Sequence, residues 1–261
     1  MMHINKIVFS VLLATVAISG AAQAETLVAL SGDNTLTSFD TKTLQAGKPV
    51  AIKGIAGVVV GIDMRPSDGL LYAVGADGMV YTVNATSGQA TTKVKLETML
   101  PAGSKATVDF NPLADRLRLI GSDGTSLRAN VDDGKVTVDG RLKYAEGDKG
   151  AGKTPMVTAG AYSNSVKGTK ETALYDIDSA LGMFLKQVPP NDGVLTTIGS
   201  LGISASVIAF DIGTSAAGVN TGFAVVDGTL HTIDIATGAA KAAGKIKDLP
   251  AGTRDVAVIA Q

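Results

Sequence analysis

The chain has 261 residues, 45% of them hydrophobic and 18% charged, and a formal net charge of −1 at pH 7. It contains no Cys and only two His, which excludes disulfides, thiolate nucleophiles and Cys-ligated zinc and leaves little scope for His catalysis. The near-neutral charge gives no electrostatic signal for nucleic-acid binding. The hydrophobic content predicts a folded chain rather than a disordered one.

Residues 1–24 have the pattern of a secretory signal peptide. A short polar start precedes an almost entirely apolar stretch over residues 7–18, and Ala22-Gln23-Ala24 has the small residues of a cleavage site. The apolar stretch is shorter than the roughly 20 residues that a membrane-spanning helix needs. We therefore expect cleavage after Ala24, a mature domain over residues 25–261, a periplasmic or secreted protein, and no membrane span.

A repeat runs through the rest of the chain. Four Asp-Gly or Asp-Asn pairs, each between two runs of β-type residues, begin at Asp33, Asp77, Asp123 and Asp227. Such pairs accept the positive φ of a primed hairpin turn. Seven residues after each of these aspartates stands another Asp or Asn, at Asp40, Asn84, Asn130 and Asp234. The long gap between the third and fourth pairs leaves room for one more unit, which has lost the pair.

This missing unit is predicted over residues 155–203, with strands at 157–162, 173–177, 183–188 and 194–198. Four strands in a unit of this length indicate a propeller blade. Residues 25–53 lack an opening strand, and residues 254–259 supply one at the other end of the chain. The predicted fold is all-β: a five-bladed β-propeller of four-stranded antiparallel blades, closed by the N- and C-terminal strands. A six- or seven-bladed ring built from a dimer or from partial repeats is the alternative.

Several runs of residues over nearly the whole mature chain carry a family resemblance. They are Gly61-Ile62-Asp63-Met64-Arg65-Pro66, Asp109-Phe110-Asn111-Pro112, Asp115-Arg116-Leu117-Arg118, Ala161-Tyr162-Ser163-Asn164, Leu174-Tyr175-Asp176-Ile177-Asp178 and Gln187-Val188-Pro189-Pro190-Asn191-Asp192-Gly193. These runs resemble a bacterial family described as domain of unknown function 4394, although Ser126 stands where that family usually has Asn. The resemblance implies a secreted, propeller-like protein and implies no established activity.

Four aspartates lie on the predicted opening strands, with Ser163 in the fifth place: Asp63, Asp109, Asp211 and Asp255. Because the opening strand of a blade lines the propeller axis, these carboxylates can meet in the channel. An oxygen-only metal site there would suit Ca²⁺. In the alternative interpretation, each Asp points sideways and accepts hydrogen bonds from backbone N–H groups of a neighbouring blade.

The densest polar group of the sequence surrounds the third repeat unit. Arg116 and Arg118 alternate with leucines and therefore point to one face of a strand, which Arg128 on the next strand can share. Three guanidinium groups suit a carboxylate or phosphate ligand, but they can instead pair internally with Asp109 and Asp115. Departures from a regular repeat often mark a binding surface. The candidate ligand-binding set is therefore Asn111, Asp115, Arg116, Arg118 and Arg128, with Asn164, Tyr175, Gln187, Asn191 and Asp192 from the irregular unit.

His231 is the one His of the predicted mature chain. The matching repeat positions hold Thr37, Tyr81 and Leu127, so we interpret it as a residue that packs on a strand face. No catalytic residue is assigned. Two functions remain: a non-enzymatic module, expected to be monomeric, that binds a small molecule or a protein, and a Ca²⁺-dependent hydrolase or lactonase-like enzyme that acts at the channel.

Overall fold

The structure is a computed structural model that describes residues 25–205 and 207–259. The predicted signal peptide, residues 1–24, lies outside the described residues. Apart from one 3₁₀ turn at Pro190–Asp192, every regular element in the described part of the chain is a β-strand. No helix in these residues is long and apolar enough to cross a bilayer.

The strands form five sheets, one per blade. Blades one and two contain β1 (Thr26–Ser31), β2 (Thr35–Asp40), β3 (Val50–Ala51), β4 (Val59–Arg65), β5 (Leu70–Gly75), β6 (Met79–Val83) and β7 (Ala90–Lys95). Blade three contains β8 (Ala106–Asn111), β9 (Arg116–Gly121), β10 (Ser126–Ala129) and β11 (Val136–Val138). Blade four contains β12 (Lys143–Tyr144), β13 (Val157–Tyr162), β14 (Leu174–Asp178), β15 (Met183–Gln187) and β16 (Val194–Ser200). Blade five contains β17 (Ala209–Thr214), β18 (Asn220–Val226), β19 (Thr229–Ile233) and β20 (Ala240–Lys245), and β21 (Thr253–Ile259) returns to blade one.

The ring is closed by the two ends of the described chain. Strand β21 pairs antiparallel with β1, with Thr26 opposite Ile259 and Val28 opposite Ala257, which gives blade one the order β21-β1-β2-β3. The inner strands of the five blades are β21, β4, β8, β13 and β17, and each packs against the inner strands of the neighbouring blades. The predicted five-bladed propeller of four-stranded antiparallel sheets is confirmed, and blade four carries one additional short strand, β12, parallel to β16.

Apolar side chains fill the spaces between neighbouring blades rather than a single centre. Alternation along each strand turns one set of side chains toward the preceding blade and the other toward the following blade. Five buried clusters result, one at each joint in the described structure. Between blades two and three, the rings of Tyr72 and Phe110 meet edge to face with centroids 5.1 Å apart. Blades stacked in this way leave the polar inner edges of the sheets facing the axis.

The hairpin turns differ from the sequence prediction at most positions. Only Asp227 and Gly228 both adopt positive φ, 49° and 74°, as a primed turn requires. At Asp77-Gly78 and Asp123-Gly124 the glycine alone has positive φ, and the connection is one or two residues longer. In these longer turns, the Asp side chain accepts hydrogen bonds from backbone N–H groups of the turn instead of adopting the left-handed conformation itself.

The second recurring Asp or Asn closes the turn before each outer strand. Oδ1 of Asn84 accepts the backbone N–H groups of Thr86 and Ser87, and Asp40 and Asp234 act in the same way. In blade four, which has no Asp-Gly pair at this position, Asp178 forms the turn between β14 and β15. Its Oδ1 accepts the N–H groups of Ala180 and Leu181. The irregular unit therefore lacks the Asp-Gly pair but not the turn-forming carboxylate.

Residues 143–154, between blades three and four, begin with a short strand. Lys143–Tyr144 adds to blade four as β12, parallel to β16. Tyr144 is buried and its hydroxyl donates to Oδ2 of Asp178 at 2.7 Å. The start of the segment is thus packed on the outer edge of blade four, while most of the residues that follow are exposed.

Glycines that follow these turns let adjacent blades approach closely. Gly88 has φ 72°, and a Cβ atom there would overlap the carbonyl oxygen of Ala51 in blade one. Gly134 meets Lys95 of blade two in the same way, and Gly238 meets the Phe184 side chain of blade four. The recurring glycine is therefore required by packing as well as by backbone conformation.

Replacing Gly88 with Ala separates these two requirements when it is compared with Gly147→Ala. Gly147 also has positive φ, 75°, but no atom lies within 4 Å of its would-be Cβ. We expect Gly147→Ala to lower the free energy of unfolding by about 1–2 kcal/mol, through backbone strain alone. Gly88→Ala should lower it by roughly 3 kcal/mol or more, because the blades must also move apart. Urea unfolding of both variants measures the difference, and equal losses would contradict the packing role.

Candidate functional site

Three of the four inner-strand aspartates come together on the propeller axis. Carboxylate oxygens of Asp63, Asp109 and Asp211 all lie within 4.8 Å of one another, and all three side chains are buried. Asp255 is not in this group. In blade one, Asp255 lies opposite Leu30, which is three residues before Asp33 of the hairpin turn. In blade two, Asp63 lies opposite Tyr72, which is five residues before the corresponding turn residue Asp77. The two aspartates thus differ by two residues in their distance from the turn. Asp255 therefore sits at a different level along the channel.

The same aspartates also bond sideways to the next inner strand, as the alternative interpretation expected. Four of the five joints carry such a bond: Ile62 N–H to Asp255 Oδ2 at 2.8 Å, Phe110 N–H to Asp63 Oδ2 at 2.6 Å, Tyr162 N–H to Asp109 Oδ1 at 2.9 Å, and Val258 N–H to Asp211 Oδ2 at 2.6 Å. At the joint of blades four and five stands Ser163, whose Oγ accepts the N–H of Ala173 in its own blade. Sideways bonding does not consume every lone pair of a carboxylate, so it leaves cation binding as a prediction.

The electrostatics of these four inner-strand aspartates favour carboxyl groups that are neutral or bound to a cation. Burial raises the pKa of Asp63 and Asp109 well above the usual value, and the neighbouring carboxylates raise both further. Burial likewise raises the pKa of Asp211 to about 6 and that of Asp255 well above its usual value. The backbone N–H bonds act in the opposite direction. This group of aspartates therefore attracts a proton, a cation or a hydrogen-bond donor.

A cavity of about 390 Å³ opens onto these aspartates at the carboxyl ends of the inner strands. Asp63 and Asp211 lie among its lining residues, whereas Asp109 does not. The walls are mostly apolar, and the charged lining residues apart from the two aspartates are Glu25, Arg65 and Lys167. Sequence reasoning missed Glu25 and Lys167, because neither occupies a repeat position and only the closed ring brings them to the channel mouth.

Arg65 at the cavity rim is held by carboxylates of the next blade. Its Nε and Nη2 donate to the two oxygens of Asp115 at 2.8 and 2.7 Å, and Nη2 also donates to Asp132 at 2.8 Å. These bonds raise the pKa of Arg65 and hold that of Asp132 at about 2. Asp115, predicted as a ligand-binding residue, is thus engaged in joining blades two and three.

The predicted arginine cluster is also paired internally, with a carboxylate that the sequence did not indicate. Arg118 is 1% exposed and its Nη1 donates to Asp139 Oδ2 at 2.5 Å, while Arg128 donates to both oxygens of Asp139. Arg118 further donates to the Tyr162 hydroxyl and to Asn191 Oδ1 of blade four, at 3.2 and 2.9 Å. The predicted shared face of Arg118 and Arg128 is present, since the two lie directly opposite on β9 and β10.

The other candidate ligand residues are spread over separate places. Asn111 accepts backbone N–H groups in its own turn, and Arg116 donates to the carbonyl of Asp115. Asn164 and Asn220 exchange hydrogen bonds across blades four and five, next to the cavity wall. Three more belong to blade four: Tyr175 stacks on Phe184, Gln187 donates to the Pro190 carbonyl, and Asp192 is exposed in the following turn. His231 lies on β19, buried, with Nδ1 3.3 Å from the Thr229 carbonyl oxygen.

These features define a five-bladed β-propeller whose channel carries buried carboxyl groups beneath an open cavity. The chain belongs to the family described as domain of unknown function (DUF4394), which matches residues 35–257. A crystal structure of a protein of unknown function from Bacteroides thetaiotaomicron VPI-5482 is similar, with a TM-score of 0.53 and 17% identity over 91% of this chain. This chain spans 65% of that protein's length. A protein of unknown function from Bacteroides caccae matches with a TM-score of 0.45 and 12% identity, over 92% of this chain and 100% of that one. No curated protein matches the sequence.

Arg118→Ala is expected to destabilise the fold rather than only to remove a ligand contact. The variant removes a fully buried side chain together with its bonds to Ser126, Tyr162 and Asn191, although Arg128 still pairs with Asp139, and we expect it to cost roughly 2–5 kcal/mol of unfolding free energy. Arg116→Ala, a half-buried arginine on the same strand, should cost about 1 kcal/mol. Thermal and urea unfolding of both variants provide the test. A stable, fully folded Arg118→Ala protein would favour a ligand role for Arg118.

Stability should fall as pH rises through the range in which the buried carboxyl groups ionise. In the unfolded chain an Asp ionises near pH 3.9, whereas Asp211 in the folded chain does so at about 6. Between these values the folded state holds more protons, so raising the pH favours unfolding, by on the order of 3 kcal/mol for this one group. Urea unfolding in EDTA at several pH values from about 4 to about 7 measures the slope. Asp211→Asn should reduce the slope without abolishing it, because the other buried carboxyl groups still ionise in this range, and an unchanged slope would contradict the assignment.

Proposed function

We propose that the protein is an exported binding module that holds a small organic molecule in the cavity at its channel mouth. The observation that carries the proposal is the open cavity of about 390 Å³ with Asp63 and Asp211 among its lining residues. A concave, largely apolar cavity with a few convergent polar groups is typical of small-molecule sites. Export rests on the signal-peptide pattern of residues 1–24.

The chemistry of the cavity indicates the kind of molecule. Asp63 and Asp211 each accept two backbone N–H bonds and keep lone pairs free, so a ligand group that meets them must be a donor or a cation. The raised pKa of both carboxyls means that a positively charged group would also restore their ionised form. Met64, Val166, Ile212 and Val258 offer apolar contacts above them. A small amine with an apolar body satisfies both requirements.

A panel of primary amines with alkyl chains of increasing length, each matched by the alcohol of the same length, tests this proposal. Amines should raise the melting temperature of the wild-type protein more than the alcohols do, because only an ammonium pairs with the carboxylates. Asp211→Asn should remove most of that difference. Asp33→Asn is the matched control, since this exposed Asp lies outside the cavity. Equal effects of amines and alcohols, or of the two variants, would rule out the assignment.

The second candidate function is a Ca²⁺-dependent hydrolase or lactonase-like enzyme that acts at the channel. It is favoured by one observation, the approach of Asp63, Asp109 and Asp211 oxygens to within 4.8 Å beneath an open cavity. Carboxylate oxygens are ligands that Ca²⁺ prefers, and the cavity provides an entry path. A bound Ca²⁺ would supply a Lewis acid that polarises a carbonyl group. The chain's part would be to hold the ion and to exclude bulk water from it.

Asp109→Asn distinguishes the two candidates, because Asp109 belongs to the carboxylate group but does not line the cavity. Isothermal titration of EDTA-treated protein with Ca²⁺ should show binding in the wild type and its loss in Asp109→Asn if a cation site exists. Amine binding should survive in that variant if the cavity alone holds the ligand. Absence of Ca²⁺ binding to the wild type would eliminate the enzyme candidate, and a panel of lactones and esters need then not be pursued.

A further inference from the structure

A second buried carboxyl group, which does not line the proposed cavity, has no hydrogen-bond partner among the described residues. Asp176 on β14 is fully buried, and neither of its oxygens accepts a hydrogen bond from any group of the described residues. Buried carboxyl groups are otherwise hydrogen-bonded, as Asp178 two residues later is by four donors. An unpartnered buried carboxyl group must either hold a proton or contact a species from outside the described residues.

The surroundings of Asp176 are shaped for oxygen ligands. Its carboxyl group packs onto Gly160 of β13, where any Cβ atom would overlap Oδ1. Thr107 of blade three reaches the same point, its Cγ2 lying 3.3 Å from the would-be Cβ of Gly160, and its buried Oγ1 is also unpartnered. Thr158, two residues before Gly160, has a fourth unpartnered buried oxygen. Three side chains of blades three and four, those of Asp176, Thr107 and Thr158, therefore have buried oxygens without a hydrogen-bond partner among the described residues.

The charged groups of the joint do not make this contact. Arg118 influences Asp176 electrostatically, but its donors go to Asp139, Ser126, Tyr162 and Asn191. Arg128 pairs with Asp139 and its side chain is 32% exposed, so solvent screens its charge. Burial accordingly raises the pKa of Asp176 to about 7.

We propose that a monovalent cation, Na⁺ or K⁺, binds between blades three and four, with the Asp176 carboxylate and the Thr107 hydroxyl as its side-chain ligands. A single carboxylate neutralises one positive charge, whereas a divalent ion would leave a net positive charge buried beside Arg118. The enclosed position means that the ion enters as the blades close and therefore stabilises the folded state. This site is separate from the channel aspartates and does not depend on the proposed function.

Thermal unfolding in NaCl, KCl and tetramethylammonium chloride of equal ionic strength, at pH 8 with EDTA, tests the site. Na⁺ or K⁺ at ten times the dissociation constant should raise the melting temperature of the wild type by roughly 3–6 °C over the bulky cation. Asp176→Asn, nearly identical in shape, should lose that difference, and Thr107→Val should reduce it. Asp33→Asn, on the surface, should keep it. Crystals of protein refolded and crystallised in RbCl should show an anomalous peak next to Asp176.

The proposal is overturned if the three salts give the wild type the same melting temperature. It is equally overturned if Asp176→Asn retains the full difference, since the ion effect would then arise elsewhere. A crystal in Rb⁺ whose anomalous peaks all lie away from blades three and four would also exclude it. None of these outcomes depends on whether the channel mouth binds an amine or Ca²⁺.

Discussion

The fold depends on carboxylate to backbone hydrogen bonds that join one inner strand to the next around the axis. In four of five joints an Asp oxygen accepts an N–H group of the following inner strand, and this satisfies donors that no sheet ladder reaches. The same bonds bring negative groups into a buried space, where they oppose one another's ionisation. The hydrogen bonds to the backbone stabilise the channel, and the repulsion between the buried carboxylates destabilises it. The aspartates that join the blades are therefore the same residues to which we assign the proposed binding.

How much the sequence revealed follows from how local each interaction is. Turn chemistry acts over a few residues, so the spacing of Asp33, Asp40 and their repeats predicted the blades, their number and the closure by β21. The shared face of Arg118 and Arg128 was also predictable, because strand alternation determines it. The partner of that pair, Asp139, was not, since it follows the short outer strand β11, which has no repeat signature, and it meets Arg118 only when β10 and β11 pair within blade three. The cavity could not be predicted from the sequence either, because residues that line it, such as Glu25, Met64 and Val258, are distant along the chain.

Blade four shows where a repeat yields to other demands. It has Ser163 where other inner strands carry Asp, and its inner hairpin connection, residues 163–173, is longer than the four-residue connections of blades two and three. That connection supplies one wall of the cavity and is fastened to blade five by Asn164 and Asn220. The same blade holds Asp176. Loss of the regular pattern thus coincides with the unusual polar groups of the molecule, which agrees with the view that local rules fail near functional sites.

The pairing of β1 with β21 has a topological consequence. In an open array of repeats, a terminal unit can detach while its neighbours persist. Here each blade has two neighbours, and the blade that contains both ends is held together by a ladder between the first and last described strands. Fraying at either end therefore opens the whole circle, which makes unfolding cooperative although no covalent link joins the ends. It also means that the chain could begin in a different blade while the blades keep their order around the ring. New ends introduced at the surface around Gly147, with the old ones joined, would preserve the same contacts.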